Sequence, residues 1–144
     1  MLMNLLLGLP IMAACLLLQS ILLTAASRYY SARDYLIDSP SFFSSLVVVN
    51  VVMLLLVIGN LAQIAIWAML FMMLGEFDQF GAAFYHSAVN FATLGYGDIV
   101  MSETHKLLGP LQAINGVLMI GVTTAALMTA YQDAITKTKK ARQR

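Results

Sequence analysis

The chain has 144 residues, 60% of them hydrophobic and 10% charged, with a formal net charge of +1, whereas an ordinary soluble domain carries about 25% charged residues. Such a composition places most of the chain in lipid as a single domain and leaves no room for a separate soluble catalytic domain. The basic residues gather mainly in one C-terminal run that ends a hydrophobic segment, so they report membrane topology and not nucleic-acid binding.

In chain order, three apolar stretches are long enough to cross a hydrocarbon core, which takes roughly 20 helical residues. The first runs from about Met1 to Ala26. Thr24, Ala25, Ala26 and Ser27 have the small size of a signal-cleavage site, but no Lys or Arg precedes the apolar core and Arg28 and Arg33 follow it, so a retained span is expected. This stretch contains no arginine ladder of the kind a voltage sensor needs. Its only cysteine, Cys15, supports neither a disulfide framework nor a thiolate metal site within one chain.

Asp38 and Ser39 before Pro40 form a helix-start pattern, a capping side chain followed by proline in the first turn. The second span is therefore predicted over 40–75, which at 1.5 Å per residue is roughly 50 Å and exceeds a bilayer core of about 30 Å. A shorter semi-polar segment, Phe77 to Ser102, cannot cross as a straight helix and is predicted to enter the membrane and return, with a helix over 79–91. The third span is predicted over 107–133, with Gly109 and Pro110 at its entry, and a basic tail follows over 135–144. Arg28 and Arg33 mark the first loop as cytoplasmic, and Lys137, Lys139, Lys140, Arg142 and Arg144 mark the C-terminus likewise. The N-terminus and the segment Phe77 to Ser102 are then extracellular.

The informative run is Phe91, Ala92, Thr93, Leu94, Gly95, Tyr96, Gly97, Asp98. Removing water from a small cation inside a membrane requires oxygen ligands in place of its hydration shell, and backbone carbonyls are the densest source. Consecutive carbonyls turn to one side when the backbone alternates between ordinary and left-handed dihedrals, which glycine adopts without a steric penalty. Gly95 and Gly97 have that spacing. Leu94 and Tyr96 would then project backwards as anchors, Thr93 would add a hydroxyl at the inner end, and Asp98 would stand at the outer mouth.

Placed between two spans and after a short helix, this run resembles the filter of the potassium-channel pore-domain family, whose signature is TVGYG, often followed by Asp. The likeness covers about Phe43 to Tyr131. It implies an all-α membrane protein: three transmembrane helices plus a re-entrant pore helix and selectivity filter, in a tetrameric potassium-channel pore architecture. The implied layout is an N-terminal helix and cytoplasmic loop over 1–39 and a pore domain over 40–134. Within that domain lie an outer helix (40–75), a pore helix (79–91), a filter (93–98) and an inner helix (107–133). K+ would bind at Thr93, Leu94, Gly95 and Tyr96, with Gly97 completing the strand. No cofactor is implied beyond K+ as the permeant ion; the partners are three further copies of the chain, membrane lipids and an unidentified regulator.

Departures from the family pattern carry information. Leu94 replaces the usual valine, and Ala92 stands where many relatives have a second threonine. Val89 stands where some carry a glutamate paired with the filter aspartate, so Asp98 needs another partner. Tyr85 and His86 occupy positions of bracing tryptophans and are expected to brace Tyr96 and Asp98. On the inner helix, Gly116 and Gly121 are candidate hinges or close-packing positions, and Leu118, Gly121, Ala125 and Thr129 are placed to face the axis. The competing readings are a weakly selective cation channel, against which the intact Tyr96 speaks, and a non-conducting assembly subunit, which has no use for the run. No grouping of His, Ser and carboxylates at catalytic spacing points to an enzyme.

Overall fold

The computed structural model describes residues 1–38 and 41–143, so Ser39, Pro40 and Arg144, and with them the predicted helix start at Pro40, lie outside the described residues. Five helices follow in order: α1 (Leu2–Ala32), α2 (Asp34–Ile37), α3 (Phe42–Met73), α4 (Phe80–Phe91) and α5 (Leu108–Arg142). Among the described residues there is no strand. This is an all-helical fold in which α1, α3 and α5 are each long and apolar enough to cross a membrane; helices suit that task because every backbone polar group is satisfied within the segment.

The buried positions trace one stripe along each long helix. On α1 they include Asn4, Gly8, Cys15, Gln19 and Ala26; on α5, Leu108, Gln112, Asn115, Gly116, Met119, Thr123, Ala134 and Thr138. Spacings mostly of three, four, seven and eleven residues keep these positions on one helical face. Apolar residues such as Leu6, Leu17, Leu54, Ile58 and Val117 are exposed on the single chain, as expected for helices whose other faces meet lipid or further copies.

Between lipid-embedded helices there is little hydrophobic drive, so small residues and hydrogen bonds decide how closely they pack. The chain divides into two compact units, Met1–Leu18 with Asn60–Ile120 and Gln19–Gly59 with Gly121–Arg144.

In the first unit, Cys15, Trp67, Leu70, Phe71 and Leu108 form a core, with Leu7, Ile11, Met12 and Met101 packed against it. A smaller cluster joins Ile64, Phe91 and Met119. A Cβ on Gly116 would stand 2.0 Å from the Phe91 carbonyl oxygen, so α5 meets the backbone at the end of α4 directly.

In the second unit, Ala26, Val52 and Leu56 form one cluster, and Ile37, Val48, Val49 and Ala134 another. Gly59 admits Leu22, whose Cδ1 would lie 2.2 Å from an added Cβ. Polar ties cross between the helices of this unit. Gln19 Nε2 donates to Thr123 Oγ1 at 3.0 Å, and the Ser45 and Thr138 hydroxyls meet at 2.7 Å. Lys137 Nζ lies 2.7 Å from Asp34 and 2.9 Å from Asp133, and the Tyr30 hydroxyl also donates to Asp133 at 2.9 Å.

Candidate functional site

The site begins at the end of α3. Gly75 takes a positive φ of 72°, its N–H donates to the Met72 carbonyl at 2.9 Å, and the Glu76 N–H reaches back to the Phe71 carbonyl at 3.0 Å. These two bonds are a Schellman cap, which needs a left-handed residue where glycine is favoured. The same geometry recurs at the end of α4. Thr93 N–H donates to Asn90 O and Leu94 N–H to Val89 O, both at 2.9 Å, and the left-handed position is filled by Thr93, with φ of 58°. For a β-branched residue that conformation is strained.

From there positive φ recurs at every second residue: 58° at Thr93, 57° at Gly95 and 72° at Gly97. The alternation expected at the two glycines therefore extends one step further, to the threonine. Every residue from Ala92 to Asp98 is exposed on the single chain, directly after the buried Phe91. Leu94 is 54% exposed and Tyr96 65%, so their side chains have little cover from their own chain.

At the C-terminal end of this segment, the Tyr85 hydroxyl donates to Asp98 Oδ2 at 2.7 Å. That hydrogen bond holds the Asp98 carboxyl below its ordinary range. His86 Nδ1 lies 3.0 Å from the Ile99 carbonyl and its Nε2 lies 2.9 Å from Asn90 Nδ2. A carbonyl only accepts and an amide nitrogen only donates, so the ring carries its proton on Nδ1. Tyr85 thus reaches the predicted Asp98, and His86 reaches the backbone one residue beyond it.

Three polar groups that the sequence did not single out hold the surroundings. The Ser87 hydroxyl donates to the Ile64 carbonyl of α3 at 2.7 Å. Gln112 Nε2 of α5 donates to the Ser87 carbonyl at 3.0 Å and also meets the Ser87 hydroxyl. Both side chains are fully buried. Glu76, just past α3, accepts from the Ser102 amide at 2.7 Å, the Ser102 hydroxyl at 2.6 Å and His105 Nδ1 at 2.5 Å. Burial pushes its carboxyl up, but the Ser102 and His105 hydrogen bonds outweigh burial and hold it below the usual range. The available signal for Ser87, Gln112 and Glu76 was polarity inside or beside apolar helices, which in a membrane demands a partner.

Of the candidate hinges, Gly116 sits against Phe91, whereas an added Cβ on Gly121 would meet nothing within 4 Å. Leu118, Gly121, Ala125 and Thr129 share one exposed stripe of α5 on the single chain.

No curated protein and no solved structure matches this chain. A family model described as "Ion channel" matches residues 53–133, from the middle of α3 through α4 and the exposed segment after it into α5. That span is more than half of the sequence, and the chain belongs to the ion channel family.

Proposed function

We propose that this ion channel chain is one subunit of a homotetramer that conducts K+ passively and selectively. The observation that carries the reading is the alternation of left-handed dihedrals over Thr93, Gly95 and Gly97 in an exposed strand that follows a short helix between two spans. Alternation turns the carbonyls of Thr93, Leu94, Gly95 and Tyr96 to one side, where four copies together replace the hydration shell of a dehydrated cation. One chain supplies one such strand, so closure around an axis requires cyclic symmetry. Packing between copies would cover the exposed side chains of Leu94 and Tyr96.

In this reading α3 is the outer helix, α4 the pore helix, 93–98 the filter and α5 the inner helix, within a pore domain over 40–134. The C-terminal end of α4 directs its partial negative charge at the inner end of the filter, where it stabilises a hydrated cation. Tyr85 and His86 hold the outer end of the strand through Asp98 and Ile99. Gly121, with open space beside it, serves as the hinge, and Gly116 serves close packing. The N-terminus is extracellular and the C-terminus cytoplasmic, by the charges of Arg28, Arg33 and the α5 end. The protein is not an enzyme.

The test is K+ efflux from vesicles containing the purified chain. Wild type releases K+ down its gradient. Gly95→Asp, which puts a side chain on a backbone at φ 57°, assembles but releases none. Equal efflux from both proteins would overturn the assignment of the filter.

A further inference from the structure

α1 (Leu2–Ala32) lies outside the residues that match the family. Its first turns are nevertheless built to reach the segment that leaves the filter. Gly8 lets α1 approach the start of α5, where an added Cβ would stand 2.8 Å from Leu111 and 3.3 Å from Leu108. Leu7, Ile11 and Met12 pack on the same core as Met101, which belongs to that outgoing segment. With the helix seated this way, Asn4 is 3% exposed, and its Nδ2 donates to the Thr104 carbonyl at 2.9 Å across a hundred residues of chain.

The segment 98–106 is thus held by four side chains. Tyr85 holds Asp98, His86 holds the Ile99 carbonyl, and Glu76 holds Ser102 and His105. The fourth is Asn4. The first three belong to the channel unit itself, and the fourth comes from the added helix. Filter carbonyls repel one another whenever a cation leaves, so the strand keeps its shape only as well as its outer anchor resists.

We infer that Asn4 is a positioning residue for the filter: through Thr104, α1 fixes the outer anchor and sets how long the strand stays conductive when ions are scarce. The inference rests on the conduction reading and assigns to α1 a role in filter gating.

The experiment records macroscopic K+ currents from full-length wild type, Asn4→Leu, Asn4→Asp and Asn4→Gln at low and high external K+. In parallel, hydrogen exchange is followed at the amides of residues 102–106. Asn4→Leu removes the donor; Asn4→Asp keeps the volume but sets an acceptor against the Thr104 carbonyl. In both, current decay at low external K+ speeds up by about two- to tenfold, the range set by one hydrogen bond. High external K+ slows the decay again, exchange over 102–106 rises by a similar factor, and the K+ over Na+ reversal potential is unchanged. Asn4→Gln, which keeps the amide, returns decay towards wild type. General destabilisation would lower current amplitude without this dependence on external K+. Conducting Asn4→Leu and Asn4→Asp channels with wild-type decay overturn the inference alone, whereas a wild type that conducts no K+ overturns the conduction reading and this inference together.

Discussion

Among the described residues Thr93 is the one non-glycine at positive φ, a β-branched residue at 58°, in a class of conformation that costs about 1–3 kcal/mol. Two amide hydrogen bonds back onto α4 hold it there. Gly95 and Gly97 were legible in the sequence because glycine advertises left-handed backbone, whereas threonine does not, so the third member of the alternation emerged only with the structure. Tyr85 and His86 drew notice in the sequence from their place before the Thr93–Asp98 run, where they were expected to brace Tyr96 and Asp98; Tyr85 bonds Asp98 and His86 the Ile99 carbonyl. The partner of His86, a backbone carbonyl, leaves no trace in residue identity. The Tyr85 hydrogen bond makes a prediction at this scale. It depresses the Asp98 pKa, so the ionised carboxylate and the contact it makes persist above the ordinary carboxylate range and are lost as pH falls through the depressed value. Tyr85→Phe removes the donor, so the midpoint at which external acid reduces conductance moves to higher pH. A pH titration of single-channel current measures it, and an unmoved midpoint would show that the hydrogen bond does not govern Asp98.

The C-terminal part of α4 is fixed by groups from other helices. Ser87 takes its acceptor from α3, Gln112 of α5 takes Ser87, and Gly116 meets the Phe91 carbonyl. An added methyl at Gly116 would meet backbone, which yields less readily than a flexible side chain. Gly116→Ala is therefore expected to destabilise the fold by about 1–3 kcal/mol, in the range of overpacked cores, as a lower denaturation midpoint in detergent. Gly121→Ala, with open space beside it, leaves the midpoint within error of wild type; equal losses at both glycines would mean that Gly116 is not a contact position. Both ends of α4 and the start of α5 were readable from the sequence because glycine, proline and the change from apolar to polar residues punctuate them. The C-terminal reach of α5 to Arg142 was less so, since a basic run reads as a tail. Lys137 is instead held between Asp133, an i, i+4 partner visible in sequence, and Asp34, whose proximity depends on the fold. The short α2 falls in what composition alone marks as a loop.

At the scale of the molecule, three apolar stretches were enough to establish a multi-pass membrane protein, because helices long enough to cross lipid leave a length and composition signal that little else imitates. The place of α1 was not legible: its stripe of Asn4, Gly8, Cys15 and Gln19 shows that one face is buried, but a stripe does not name its neighbours. The count of four copies came from the resemblance alone, and a single chain leaves it as a proposal. The exposed Leu94 and Tyr96 and the open stripe on α5 are the structural reasons to expect them. The central claim is that four such strands pass K+ and reject Na+. Its most direct test is the reversal potential of the purified chain in a planar bilayer with K+ on one side and Na+ on the other. A value close to the K+ equilibrium potential is predicted, and a value near zero would contradict selective conduction through Thr93 to Gly97.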